Sequence, residues 1–477
     1  MSTRREFLRE LGVTTAGLAL GSMSSKAFAQ PMTSKEWADA KTEKVKIAYI
    51  GIGNRGEQDI DEFAKTNMVD VVALCDVDLD GAQCQKVLKM YPNAKRFRDF
   101  RKMFEEYGSH FDAVCAAVPD FIHFPIAMMA MKFGKHVYLE KPITRTFMEA
   151  ELLMEMARRN PKLATQVGNQ GHSEGNYFQF KAWKEAGIIK DVTAVTAHMN
   201  SARRWHNFDA NIYKYPDADP MPKNMDWNTW LGYSLYHEYS EKYHQGNWRC
   251  WYDYGMGALG DWGAHLLDTV HEFLDLGLPY EVTLKYQKGH NDFFYPFSST
   301  ILFRFAARNG MPPCDVTWYD GLDNLPPLPE GFGASEYNKD VPSTNQGEAP
   351  KMKLNPGKII YSKDLIFKGG SHGSTLSIIP KEKAEAMKDK LPEVPKSPSN
   401  HYVNFLRACQ GVEKTRSPFE INGVLGQVFC LGVIAQRLNT QLFFDPRTKQ
   451  FTNNSFANSM LAGVPPRKGW EDFYKLD

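Results

Sequence analysis

Short apolar runs rich in β-branched residues punctuate the first third of the chain: Val45–Ile50, Val69–Cys75, Phe111–Val118, His136–Leu139 and Leu163–Val167. Their length and continuity fit strands buried on both faces. Between them, helical patterns occupy Ile122–Phe133 and Phe147–Arg159. Strand–helix alternation at this pitch predicts βαβ units and a doubly wound parallel sheet ending near Gly168. Beyond about Gly171 the texture changes. Val192–His198, Glu281–Tyr286 and Thr300–Phe305 alternate, as half-exposed antiparallel strands do, and helices are predicted over Tyr177–Ala186 and Gly260–Leu276. Residues 309–350 hold seven of the 27 prolines and five glycines, a composition that predicts an irregular insertion. Ile359–Phe367 and Thr375–Ile379, split by Gly369-Gly370-Ser371-His372-Gly373, predict a hairpin returning to the sheet. Helical stretches at His401–Cys409 and Glu420–Leu438 precede a polar tail. The fold class is therefore α/β: a parallel-sheet domain over 45–170, then an α/β domain with an open, mainly antiparallel sheet over 171–477.

With 477 residues, two domains are the default expectation. A formal net charge of +1 argues against nucleic acid as a partner. No unbroken apolar window of about 20 residues follows the N-terminus, so no membrane span is expected. The seven cysteines are scattered and never spaced Cys-x-x-Cys; buried thiols are the first reading, a structural disulfide the second. At the N-terminus, Arg4-Arg5 precede a Gly/Ala/Leu-rich stretch from Leu11 to Met23, and Ala27-Phe28-Ala29 offers small residues for cleavage. This resembles a twin-arginine export signal. It implies a signal peptide over 1–29, a polar tether over 30–44, and a periplasmic protein exported already folded.

Gly51-Ile52-Gly53-Asn54-Arg55-Gly56 follows the first strand directly and opens a helical segment. Glycines here permit a tight turn and close approach of backbone to a pyrophosphate, which the helix N-terminus then faces. At the end of the second strand, 20 residues past Gly56, stands Asp76. A carboxylate there accepts hydrogen bonds from the adenosine ribose hydroxyls and repels a 2′-phosphate. The cofactor expected is therefore NAD, although a guanidinium such as Arg55 near the ribose would tolerate NADP.

The fingerprint, Val118-Pro119-Asp120-Phe121-Ile122-His123, Glu140-Lys141-Pro142 and Gly260-Asp261-Trp262-Gly263-Ala264-His265 together resemble the glucose–fructose oxidoreductase/inositol dehydrogenase (Gfo/Idh/MocA) family. The resemblance implies a Rossmann domain and an α/β domain whose free sheet face supports a homo-oligomer. It also implies that Pro119, Asp120 and His123 line the nicotinamide side of the cofactor, with Glu140 and Lys141 under its ribose and the substrate. Asn169 would stand at the domain crossing beside the cofactor. Asp261 and His265 match the family's D-x-x-x-H pair.

Read without the family, Lys141 is equally a surface lysine. Asp261, His265, Asp268 and Glu272 fall on one helix face, as a solvated stripe, a catalytic pair with its neighbours, or, least favoured, a metal site; no dense ligand cluster accompanies them. In the catalytic reading His265 is the base, its proton affinity near working pH, Asp261 orients it, and Lys141 stabilises the alkoxide. Arg249, Trp251 and Trp262, with the Ser201–His206 run, offer aromatic faces and hydrogen bonds to a sugar, or an oligomer contact. The expected function is NAD-dependent oxidation or reduction of a secondary alcohol of a sugar, polyol or glycoside. The alternative is a glycosidase that recycles bound NAD, resembling the family's α-N-acetylgalactosaminidases. Those carry Tyr-x-x-His without the Lys-Pro dipeptide, whereas here Trp262 replaces the tyrosine and Lys141 is present. A non-catalytic NAD-binding protein is the third reading.

Overall fold

A computed structural model describes residues 43–200, 212, 214–244, 246–333 and 354–476. The twin-arginine stretch, nearly all of the tether, the Ser201–His206 run and residues 334–350 of the Pro-rich segment lie outside the described residues.

Six strands, β1 (Val45–Ile50), β2 (Val69–Cys75), β3 (Lys95–Phe97), β4 (Ala113–Ala116), β5 (His136–Leu139) and β6 (Thr165–Val167), form one sheet. All pairings are parallel, in the order β3-β2-β1-β4-β5-β6. Helices α1 (Arg55–Lys65), α2 (Gln85–Met90), α3 (Phe100–Tyr107), α4 (His123–Lys132) and α5 (Phe147–Arg159) connect them. Ile47 and Tyr49 of β1 enter the core built by Phe63 of α1, while Ala48 and Ile50 enter the core of α3 and α4. A strand covered on both faces has no polar side, which is why its sequence reads as a continuous apolar run. Strand order reverses between β1 and β4, and ligands bind in the crevice beyond the strand ends at such a switch point. The three-residue β3 is too short to show a period and escapes a pattern reading.

The second domain comprises α6 (Gly175–Glu185), β7 (Val192–Met199), α7 (Trp227–Leu231), α8 (Gly257–Phe273), β8 (Glu281–Lys288), β9 (Ser298–Phe305), β10 (Cys314–Asp320), β11 (Gly357–Ser362), β12 (Ile366–Gly370), β13 (Leu376–Ile379), α9 (Lys381–Met387), α10 (His401–Cys409), α11 (Phe419–Leu438), β14 (Gln441–Asp445), β15 (Gln450–Phe451) and α12 (Ser455–Leu461). Its sheet runs β13-β12-β11-β7-β10-β9-β8-β14-β15. Only β7 and β10 pair parallel; the other neighbours are antiparallel. Three expectations are corrected. The Pro-rich segment contributes β10, in which Cys314, Val316 and Trp318 point inward and Asp315, Thr317 and Tyr319 do not. The hairpin is a three-stranded meander, with Gly369 and Gly370 inside β12. The polar tail adds β14 to the sheet edge.

α11 is apolar enough to cross a membrane by length and composition, but 78% of its apolar window is buried inside the fold. It packs on α5, α8 and β8, and a helix touched on all sides carries no polar face. The segment after β7 lies against the first domain. Trp227 and Trp230 stack there, and Trp230 and Tyr254 pack on Phe121. Glu149 fixes this arrangement. It closes a capping box with Thr146 at the start of α5, and its Oε1 accepts the hydroxyls of Tyr233 at 2.6 Å and Tyr474 at 3.0 Å.

Candidate active site

One cleft of about 730 Å³ runs along the carboxyl edge of the parallel sheet and under α8. At one end the glycine-rich turn leads from β1 into α1. A Cβ on Gly51 would strike the Ala117 carbonyl, one on Gly56 the Gly51 carbonyl, and one on Gly53 would come within 2.6 Å of Gln83 Cγ. Asn54 sits at φ 48° immediately before the helix, a backbone region that L-residues seldom occupy. Asp76 closes the turn from the neighbouring strand, accepting the Ile52 N–H at 2.9 Å and the Asp78 N–H at 3.0 Å. Burial pushes its carboxyl above the usual range, against the pull of those N–H groups. A glycine cradle, an open helix N-terminus and a carboxylate beyond it fit a dinucleotide. Gly51, Gly53, Asn54, Arg55, Asp76, Pro119, Asp120, Glu140 and Lys141 all line this cleft, with Gly56 directly beneath the turn.

Arg55 is turned away from the role of tolerating a 2′-phosphate. Its guanidinium pairs with Asp59 at 2.8 Å and Glu140 at 3.0 Å, and donates to Tyr402 Oη at 3.1 Å. Burial and then Glu140 push Asp59 above the ordinary carboxylate value, against Arg55. Gln170, its amide oxygen toward Arg55, accepts from the same guanidinium and donates to Gly168 O at 3.1 Å.

At the other end, the loop after β5 brings Lys141 against α8. Its ammonium donates to Asp261 Oδ1 at 2.8 Å and to Asp261 O at 3.0 Å. Arg249 Nε stands 3.7 Å from the same Oδ1. One turn along α8, His265 faces the cleft. Its ring stacks on His372 with centroids 3.9 Å apart and planes 21° from parallel, and Trp262 meets both rings edge-on. Burial, then Lys141 and His372, hold His265 well below the usual imidazole value, so the ring is neutral at working pH and does not titrate near it as the sequence led us to expect. Nor does Asp261 orient it: His265 Nδ1 is buried without a hydrogen-bond partner. Burial also raises Asp120 to about 7, with Arg249 the strongest opposing influence, and Asp120 accepts the Met256 N–H at 2.9 Å.

Several predicted site residues lie elsewhere. His123 is buried, its ring bridging Pro142 O at 2.7 Å and Val118 O at 3.0 Å; it holds the turn that carries Lys141. Burial lowers its pKa to about 4. Asn169 is buried behind the cleft, donating to Ala264 O at 2.9 Å, and Gln170 lines the wall in its place. Trp251 is fully buried in an aromatic core, its Nε1 donating to Lys242 O at 2.8 Å, so it offers no face to a substrate. Arg249, Trp262 and His265 do line the cleft. The stripe on α8 is not a solvated face: Asp261, His265 and Asp268 are buried. Asp268 and Glu272 face His172 at 3.5 Å and 3.3 Å, away from the cleft. Among the described residues no cluster of three His, Cys, Asp or Glu side chains is placed to hold a metal, and no disulfide joins any of the seven cysteines. Trp248, from the Asn247–Tyr252 run that the sequence offered for sugar contact, also lines the cleft, and sequence reasoning missed His372 and Gln170 there. A histidine within a glycine-rich turn was visible, but nothing in spacing ties it to α8.

Two family models match: an oxidoreductase family, NAD-binding Rossmann fold, over residues 45–169, and the oxidoreductase family's C-terminal alpha/beta domain over residues 180–308. Among curated relatives, a glycosyl hydrolase family 109 protein of Shewanella baltica is 27% identical over 260 residues, covering 47% of this chain and 55% of that protein. An alpha-N-acetylgalactosaminidase of Shewanella oneidensis is 28% identical over the same shares. The chain thus spans about half the length of the curated relatives it matches. The WlbA dehydrogenase from Bordetella pertussis, solved in complex with NADH and UDP-GlcNAcA, superposes with a TM-score of 0.54 at 13% identity, over 84% of this chain and 99% of that one. An NAD-binding protein from Listeria innocua gives 0.53 at 15% identity, over 84% and 97%. These two likenesses are of fold. With the glycine cradle, Asp76 and the two matched domains in one chain, the protein belongs to the Gfo/Idh/MocA oxidoreductase family and carries its NAD-binding Rossmann domain.

Proposed function

We propose that the chain transfers a hydride between NAD and a secondary alcohol of a sugar, polyol or glycoside. One observation carries this reading: Lys141 spends two of its three N–H donors on Asp261 and keeps a third for the cleft it lines. When bound, the nicotinamide supplies the hydride acceptor. Lys141 then hydrogen-bonds the hydroxyl oxygen of the alcohol and stabilises the charge that develops on it. His265, neutral across the working range, accepts the hydroxyl proton. Asp261 holds the ammonium in place, Arg249 and Trp262 give the substrate its walls, and the covering segment that carries Trp248 excludes water.

The test is acid release and identification of the bound nucleotide, followed by single-turnover NAD reduction with a panel of sugars, inositols and glycosides. His265→Ala and Lys141→Ala are each expected to slow reduction by about 100-fold or more with NAD affinity nearly intact. A His265→Ala protein that reduces NAD as fast as the parent would refute the assignment.

The names of the curated relatives favour a second reading, a glycosidase that returns the hydride to its product. Lys141 and Trp262, which depart from the glycosidase pattern, weigh against it. Aryl glycosides that release their aglycone without net NADH would install that reading instead. We further propose twin-arginine export; replacing Arg4 and Arg5 by lysine is expected to trap the precursor in the cytoplasm, and unaltered export refutes it.

A further inference from the structure

A histidine that accepts a proton in catalysis is ordinarily oriented through its second ring nitrogen, by a carboxylate or a carbonyl. Here that device is missing. Asp261 is committed to Lys141, and Nδ1 of His265 is buried without a partner. What touches the ring is the imidazole of His372, stacked at 3.9 Å, with Trp262 edge-on to both. His372 is itself held in place. Its backbone N–H donates to His265 O at 3.3 Å, its Nδ1 lies 3.0 Å from Ser371 Oγ, and its backbone takes φ 53° at the tip between β12 and β13. Those strands lie outside the residues that match the family models.

We propose that His372 is the positioning residue that orients His265 by ring stacking, in place of a hydrogen-bonded carboxylate. The proposal rests on the reading of His265 as proton acceptor. Stacking fixes the ring plane, and with Nδ1 buried it leaves Nε2 to take the proton. It also couples the two rings electrically. Two imidazolium charges that close repel strongly, so the pair carries one positive charge at most. The groups facing them are Lys141 from the loop after β5, Arg55 from α1, and Asp261 and Asp268 from α8. Burial and then Lys141 hold His372 below the ordinary histidine value as well, so both rings are neutral at working pH and His265 stays available as acceptor. Only in acid does His372 take a proton and oppose one on His265.

The experiment compares His372→Gly, which removes the ring at a backbone angle glycine favours, with His372→Phe, which keeps a stacking ring and removes its titration. Both are made in the full, NAD-loaded chain. The probe is whichever panel sugar reduces bound NAD in the parent. His372→Gly is expected to lower kcat about ten-fold with KM and NAD affinity within two-fold. His372→Phe is expected to restore kcat to within about three-fold of the parent, while the acid limb of kcat/KM moves up by about one pH unit. In carbon-13 spectra of histidine-labelled protein, the His265 ring signal should lose its stacking shift in the glycine variant and keep it in the phenylalanine variant. Parent-like kcat in His372→Gly overturns the proposal, and so does a His372→Phe protein as slow as the glycine variant. His265→Ala separates the two readings: if it is inactive while His372→Gly is fully active, only the role of His372 falls, whereas an active His265→Ala fails the reading of His265 itself.

Discussion

The pair between Lys141 and Asp261 joins the two domains at the cleft, and a charge-cancelling double variant separates its structural from its chemical work. Lys141→Met leaves the Asp261 carboxylate, 5% exposed, without its ammonium partner and with Arg249 farther off at 3.7 Å. Breaking one side of a buried pair costs about 3–5 kcal/mol. Asp261→Asn leaves an ammonium that is 15% exposed and still bonded to Asp261 O, at a lower cost of about 1–3 kcal/mol. Lys141→Met/Asp261→Asn leaves neither charge unpaired, so its stability should return to within about 1–2 kcal/mol of the parent rather than to the sum. Turnover should behave differently. Without the ammonium the developing alkoxide loses its donor, a loss of about 100-fold or more, or about 2.7 kcal/mol, in both the single Lys141→Met and the double variant. Asp261→Asn alone, which keeps the ammonium, should fall about ten-fold. Urea midpoints at constant slope give the first quantity, and single-turnover NADH formation the second. A double variant that regains turnover along with stability would show that Lys141 is a strut and not a catalytic residue.

Trp251→Ala should cost about 3–5 kcal/mol of stability with KM unchanged, whereas Arg249→Ala should raise KM several-fold with a smaller stability loss; the opposite pattern would return Trp251 to the substrate. Because His265 is held well below the ordinary histidine value, the proton acceptor is lost only in acid, and kcat/KM should stay level from pH 8 down through 6.5 before falling. Asp120, raised to about 7, gains charge above that pH; Asp120→Asn should abolish any inflection near pH 7 while leaving the acid limb in place, and a limb that vanishes with it would transfer the base to Asp120.

The parallel sheet and the glycine turn with Asp76 were legible because each is local, whereas Lys141, Asp261 and His265 stood out only through the family resemblance. A strand buried on both sides must be apolar throughout, and a dinucleotide turn must be glycine-rich. What stayed hidden was decided by distant contacts. β10 alternates inward and outward residues as a strand should, yet it lies in a window whose prolines dominate the composition. Trp251 and Trp262 are the same residue type, and only the packing of Tyr215, Tyr243 and Phe294 puts the first into a core. The α8 stripe reads as solvated until the partners of Asp261 and Asp268, supplied by Lys141 and His172, are in place. His123 and Asn169 occupy motif positions but serve the backbone around the cleft, a distinction no spacing records.

Arg55 bears on the choice between NAD and NADP. A guanidinium has five N–H donors, and those of Arg55 are directed to Asp59, Glu140, Gln58, Tyr402 and Gln170. Asp59 and Glu140 are both buried. To reach a 2′-phosphate the guanidinium would abandon them, at about 3–5 kcal/mol for a buried pair broken on one side. A charge-assisted hydrogen bond to phosphate returns about 1.5–3 kcal/mol. Arg55 therefore stays, and discrimination falls to Asp76, both of whose oxygens already anchor backbone N–H groups and keep lone pairs for ribose hydroxyls. Asp76→Ser removes the repulsion and those acceptors without supplying a cation. NAD affinity should drop by about 10- to 100-fold, and the gap to NADP should narrow without reversing. Equal binding of NAD and NADP to the parent, measured by titration, would show that Asp76 does not discriminate. A single Asp76→Ser substitution that made NADP the tighter ligand would show that a cation was already waiting there, and that Arg55 leaves its carboxylates when the nucleotide enters.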